Sequence, residues 1–124
     1  MKQDLTSRDD IKRLVDEFYN KVNQDELLAP YFNDAVKVNW DEHLPKMYDF
    51  WETVLFAKRA YYGNPMLKHI HVHSLMELSS DAFKRWIDLF YKTLDELFEG
   101  SMVEKAKFSA NNIATTLQNR IIKQ

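Results

Sequence analysis

Residues 79–121 read SSDAFKRWIDLFYKTLDELFEGSMVEKAKFSANNIATTLQNRI, and this stretch decides the fold. Phe83, Trp86, Ile87, Phe90, Leu94, Leu97 and Phe98 recur every three or four positions, the spacing that lays side chains along one face of an α-helix. Ser79 or Ser80 can cap its start, and Gly100 is the expected stop. Ser101 and Glu104 then form an S-x-x-E capping box ahead of a further helix carrying Val103, Ala106, Ala110, Ile113, Ala114, Leu117 and Ile121. Two long helices in succession, joined by almost nothing, predict an all-α chain.

The same periodicity extends toward the N-terminus. Ser7 can cap a helix with Asp9 and Asp10 near its positive end and Ile11, Leu14, Val15, Phe18 and Val22 as its apolar stripe, with Tyr19 beside it. Leu27, Leu28, Pro30, Tyr31 and Phe32 predict a bent helical turn ending near Asn33. Trp40 to Phe56 reads as an amphipathic helix through Leu44, Met47, Phe50, Trp51, Val54 and Leu55, with Pro45 accommodated in its first turn. His43 falls on the face of Met47, Phe50 and Val54. Ala57 to Leu78 has the weakest periodicity: Gly63, Asn64 and Pro65 mark a loop, followed by a short helical turn through His69.

Composition narrows the function classes. The 124 residues suit one domain, 1–124, with one core and no second catalytic module. Seventeen Lys and Arg against 19 Asp and Glu give a formal charge of -2, with no basic excess to attract nucleic acid or anionic lipid. Met1 to Asp10 has no signal-like apolar run and nothing later reaches membrane-span length, so the expected location is the cytoplasm. The chain has no cysteine, which excludes disulfides, thiolate metal sites and covalent C-x-x-C-H haem attachment. Only two Gly and three Pro agree with a mostly helical chain, and 14% aromatic residues could line a flat apolar ligand.

All four histidines lie between positions 43 and 73, with His69, His71 and His73 in one segment. Neutral imidazole ligates iron, zinc and copper, so this cluster is the first place to look for a metal. The residues alone leave several roles open: Tyr19 as an interfacial tyrosine, Trp86 as ordinary core, and His71 and His73 as solvent-facing or zinc-binding residues.

Phe50-Trp51, Tyr61-x-Gly63-x-Pro65-Met66-x-x-His69 and Phe83-x-x-Trp86 with Phe90, in this order, resemble the group III truncated haemoglobins. Phe18-Tyr19, Pro30-x-Phe32-Asn33 and Trp40-x-x-His43 extend the resemblance over nearly the whole chain. It implies a truncated globin fold, a two-over-two helical sandwich around haem b. His69 corresponds to the proximal iron ligand, Tyr19, His43 and Trp86 to ligand-facing positions, and Phe32 to an aromatic packed on the porphyrin. Met47, Phe50, Trp51 and Met66 are expected pocket-packing residues. Lys46, Arg59 and Lys68 are candidate propionate partners by sequence neighbourhood. Pro45, so close to His43, and the extra histidines after His69 depart from the expected pattern.

The resemblance implies binding of O2, NO or CO, for oxygen or nitric oxide handling rather than bulk transport. Hydrogen bonds to a charged acceptor are worth ~1.5–3 kcal/mol each, so two donors could raise O2 affinity on the order of a hundredfold. Alternatives are a haem peroxidase, a nitric oxide dioxygenase needing a separate reductase because no G-x-G-x-x-G fingerprint occurs, and a haem-free helical interaction module or zinc protein. Oligomeric state is left open.

Overall fold

The computed structural model describes residues 2–35, 37–57, 69 and 78–122, with backbone alone at 35, 121 and 122. Four long α-helices account for most of them: α1 (Arg8–Gln24), α2 (Trp40–Phe56), α3 (Ser80–Leu97) and α4 (Ser101–Ile122), with a π-helical turn at Tyr31–Ala35. The all-α expectation holds.

Helix α1 begins where Ser7 Oγ accepts the Asp10 N–H, and the expected stripe is buried in full, with Tyr19 added to it. After Gln24 the chain turns on Asp25, whose Oδ2 accepts the N–H groups of Leu27 and Leu28 at 3.2 and 3.0 Å. Arg85 of α3 holds the other carboxylate oxygen of Asp25. The helical corner continues past Asn33 to Ala35, because its i→i+5 winding takes up the extra residues. Lys37 then adopts φ 56°, and the Val38 N–H reaches back to the Phe32 carbonyl at 2.7 Å.

Helix α2 has the expected limits, with Asn39 as its cap. Pro45 is its sixth residue and therefore lies beyond the first turn; the missing N–H falls opposite the carbonyl of Asp41, an exposed residue. At the other end Ala57 is left-handed, and Lys105 of α4 donates to the Leu55 carbonyl at 3.0 Å. A cation there complements the negative end of the helix dipole.

Two expectations about the α3–α4 junction are corrected. Helix α3 stops at Phe98 rather than Gly100, because Phe98 is extended and forms a parallel bridge with Gln3, and the Glu99 N–H bonds to the Gln3 carbonyl at 3.1 Å. The S-x-x-E box does not cap α4: Ser101 is already its first helical residue. The cap is Asp4, 98 residues away, whose oxygens accept the Met102 and Val103 N–H groups at 2.9 and 3.1 Å. Gly100, at φ 142°, leaves room for it; a Cβ there would lie 2.4 Å from Asp4 Cγ.

Helix α1 packs on α2 and α3, and α4 packs on α3 and α2. Phe90 of α3 is fully buried where three helices meet. Trp51 of α2 stacks on it at 4.8 Å, Trp86 one turn away stacks at 5.4 Å, and Phe18 of α1 meets it edge-on at 5.2 Å. At the edge of the α1–α2 interface, Arg8 bonds Asp49 and the buried Glu52, and the Tyr48 hydroxyl bonds Asp16. Among the described residues no helix is long and apolar enough to cross a membrane.

Candidate functional site

Tyr19 lies on the buried face of α1, only 7% exposed. Burial disfavours the phenolate and pushes the hydroxyl's pKa far up, so the group is a neutral O–H donor. Three rings from other segments surround it: Phe32 from the π-helical turn at 5.7 Å, Trp40 from the start of α2 at 5.3 Å and His43 one turn further along at 5.3 Å. These three also touch one another, with centroids 5.5–6.2 Å apart. All six pairs in the quartet are therefore in contact, three of them edge to face, a geometry that favours aromatic pairs, and three tilted.

Pro45 does not turn His43 outward, since the imidazole meets Tyr19 nearly perpendicularly and its Nε2 is buried. The structure thus brings Phe32, Tyr19 and His43 together. Trp86 sits in the adjoining ring cluster, edge-on to Phe18 at 5.5 Å and stacked on Phe90. Phe18 joins the two clusters through its contact with Tyr19 at 4.9 Å.

Met47 and Phe50 are half-buried on α2 and pack against the core, together with Val54 on the same helix face. Trp51 touches Phe50 edge-on at 5.4 Å but stacks on Phe90 in the three-helix junction and is 4% exposed. His69 has helical backbone and is half-buried. Lys46 is exposed. Met66, Arg59, Lys68, His71 and His73 lie outside the described residues. Among those described, no group of three or more His, Asp or Glu could hold a metal ion by itself.

Trp40 was missed as a site residue. Its indole N–H donates to Asn33 Oδ1 at 3.1 Å, and Asn33 Nδ2 donates to Asn23 Oδ1 at 3.0 Å. The signal lay in Trp40-x-x-His43, a spacing that stacks two side chains on one helix face.

A helical scaffold with an imidazole-bearing α2, a buried tyrosine and an aromatic interior is compatible with a globin. The family profile for bacterial-like globins matches residues 4–119. A curated relative, the Group 3 truncated hemoglobin ctb of Campylobacter jejuni, is 31% identical over 126 aligned positions, covering 99% of this chain and 97% of that protein. The crystal structure of group III truncated hemoglobin from the same species superposes with a TM-score of 0.86 at 31% identity, covering 98% of this chain and 95% of the other. The chain belongs to the bacterial-like globins and, among them, to the group III truncated haemoglobins.

Membership implies a haem-binding protein and a gaseous ligand such as O2. The residues present fit that group. Met47, Phe50 and Val54 on α2 and Trp86 and Ile87 on α3 are apolar yet only half-buried, as walls for a flat apolar cofactor need to be. His69 supplies an imidazole of the type that ligates haem iron.

Proposed function

We propose that the chain binds haem b non-covalently through His69 and holds O2, NO or CO against Tyr19, His43 and Trp86, in oxygen or nitric oxide handling rather than bulk transport. When bound, haem supplies an iron centre with one coordination position for the gas. The observation that carries the proposal is the buried contact between Tyr19 and His43 inside the four-ring cluster. The Tyr19 phenol is neutral at physiological pH, and burial raises its pKa further, so its hydroxyl is available as a donor. The surrounding rings leave Tyr19 only 7% exposed, which limits the water that would compete for that hydrogen bond. His43 and the Trp86 indole N–H add further polar tips in an apolar setting, the composition expected of a small-ligand site.

The test is the visible spectrum of the haemin-supplied protein, before and after reduction and addition of CO. The protein takes up one haem with a Soret band that shifts with CO, and His69→Ala weakens or changes that band. Tyr19→Phe keeps the ring but loses the donor, so O2 dissociates about tenfold to a hundredfold faster. No haem uptake would return the chain to the zinc or interaction-module alternatives. Turnover of peroxide, or of nitric oxide with an added reductase, would instead make it an enzyme.

A further inference from the structure

We infer that Trp40 is a positioning residue for the ligand-facing pair Tyr19 and His43, held in place by an amide relay through Asn33 and Asn23. The inference rests on the haem-globin function proposed above, since it concerns the residues that would face the bound gas. Its basis is a correspondence between two layers. The inner layer is the ring cluster of Tyr19, Phe32, Trp40 and His43. The outer layer is the hydrogen-bonded series Trp40, Asn33 and Asn23.

Each member of the outer layer sits beside an inner one in sequence. Asn23 is one helical turn after Tyr19 on α1, Asn33 follows Phe32 on the π-helical turn, and Trp40 is one turn before His43 on α2. The relay therefore ties together the three segments whose rings form the cluster. Its direction is fixed by chemistry. An indole can only donate, so Asn33 must present its oxygen to Trp40 and its amino group to Asn23, which must accept.

The need for a restraint follows from the space beside it. A groove of about 440 Å³ opens between α1 and α2, lined in part by Tyr19, Asn20, Asn23, Trp40, Leu44 and Tyr48. A released Trp40 ring has that volume to move into, and movement removes one wall from both Tyr19 and His43. Asn23 and Asn33 are exposed, so a hydrogen bond in the relay shifts the ratio of held to released indole by roughly fivefold. Such a bond adds little to overall stability. Its effect falls on where two rings point.

The experiment compares Asn33→Ala, Asn33→Asp and Trp40→Phe by NMR of the protein as purified, then by the C–O stretching band after haemin, reductant and CO are supplied. Asn33→Asp keeps the acceptor for the indole; Trp40→Phe keeps a ring without the N–H. In Asn33→Ala, one of the three indole N–H resonances moves, the ring signals of Tyr19 and His43 shift, and the C–O band splits or moves to higher frequency as hydrogen bonding to the ligand weakens. Asn33→Asp restores the band, while melting temperatures stay within a few degrees of one another. Unchanged ring signals in both Asn33→Ala and Trp40→Phe would overturn the inference, as would an unchanged C–O band. If the unsubstituted protein takes up no haem, the proposed function falls, and the Tyr19 and His43 ring signals still decide whether Trp40 positions them.

Discussion

Replacing Asp4 by Ala removes an acceptor that serves the first turn of α4 from the far end of the chain. Loss of an N-cap costs about 1–2 kcal/mol, and loss of a negative charge at the helix's positive end adds about 0.3–1 kcal/mol. The Leu5 N–H, bonded to Asp4 Oδ1 at 2.8 Å, loses its partner as well, which places the total toward the upper end, about 2–3 kcal/mol. Unfolding entropy of ~2.1 cal/mol/K per residue over the 124 residues converts each kcal/mol into about 4 °C. Asp4→Ala should therefore melt roughly 8–12 °C lower by far-UV circular dichroism. Ser101→Ala, which tests the cap expected from sequence, should change the melting point by no more than about 2 °C, as surface substitutions usually do. Gly100→Ala should also destabilise, since its new Cβ would collide with Asp4 and φ 142° is strained for any side chain. Part of that collision is with the Asp4 carboxyl group, so the double variant should lose less than the sum of the two. If Ser101→Ala proves the more damaging of the two single substitutions, Asp4 is not the cap and the reasoning is refuted.

Two further outcomes follow from the α1–α2 interface. Arg8→Leu takes a hydrogen-bonding partner from the buried Glu52 and should lower stability by about 1–2 kcal/mol, discounted because the Arg8 side chain is itself 37% exposed. The urea midpoint should fall at constant slope, whereas Lys21→Ala, which breaks the more open pair with Glu96, should change it by less than about 0.5 kcal/mol. Burial, then the bond to Asp16, pushes the Tyr48 hydroxyl up to about 12, and burial raises Tyr19 further. A raised folded-state value favours the protonated, folded form. That stability is fully present below about pH 10 and is lost as pH climbs through 12. Urea midpoints measured between these limits should fall with pH, and less steeply in Tyr48→Phe; a rising midpoint would contradict the assignment.

Helix positions were legible because burial in an amphipathic helix is periodic. Ile11, Leu14, Val15, Phe18 and Val22 on α1, and Phe83, Phe90 and Leu94 on α3, are buried as their spacing requires. Trp40 to Phe56 has its sequence-derived limits, and Ser7 and Ser79 cap the helices they precede. Tyr19, Phe32 and His43 were named through the family resemblance, visible in motifs spread over nearly the full length of the chain, and their rings pack together. Spacing could not separate Trp51, which turns into the core, from its neighbour Phe50, which stays half-buried. Both are aromatic residues on the same helix, and only the position of Phe90 across the interface distinguishes them.

Sequence by itself thus determined the helical class and the apolar face of each helix. These properties depend on neighbours within about one turn, which a linear pattern records. The tertiary structure decided everything that joins distant segments: Asp4 capping α4 in place of Ser101, Gln3 ending α3 at Phe98, Lys105 closing α2, and Asn23, Asn33 and Trp40 aligning behind the ring cluster. Hydrogen bonding has no sequence period. A backbone group at a helix end bonds to whichever donor or acceptor the fold brings within about 3 Å, and the chain separation of that partner is set by packing alone.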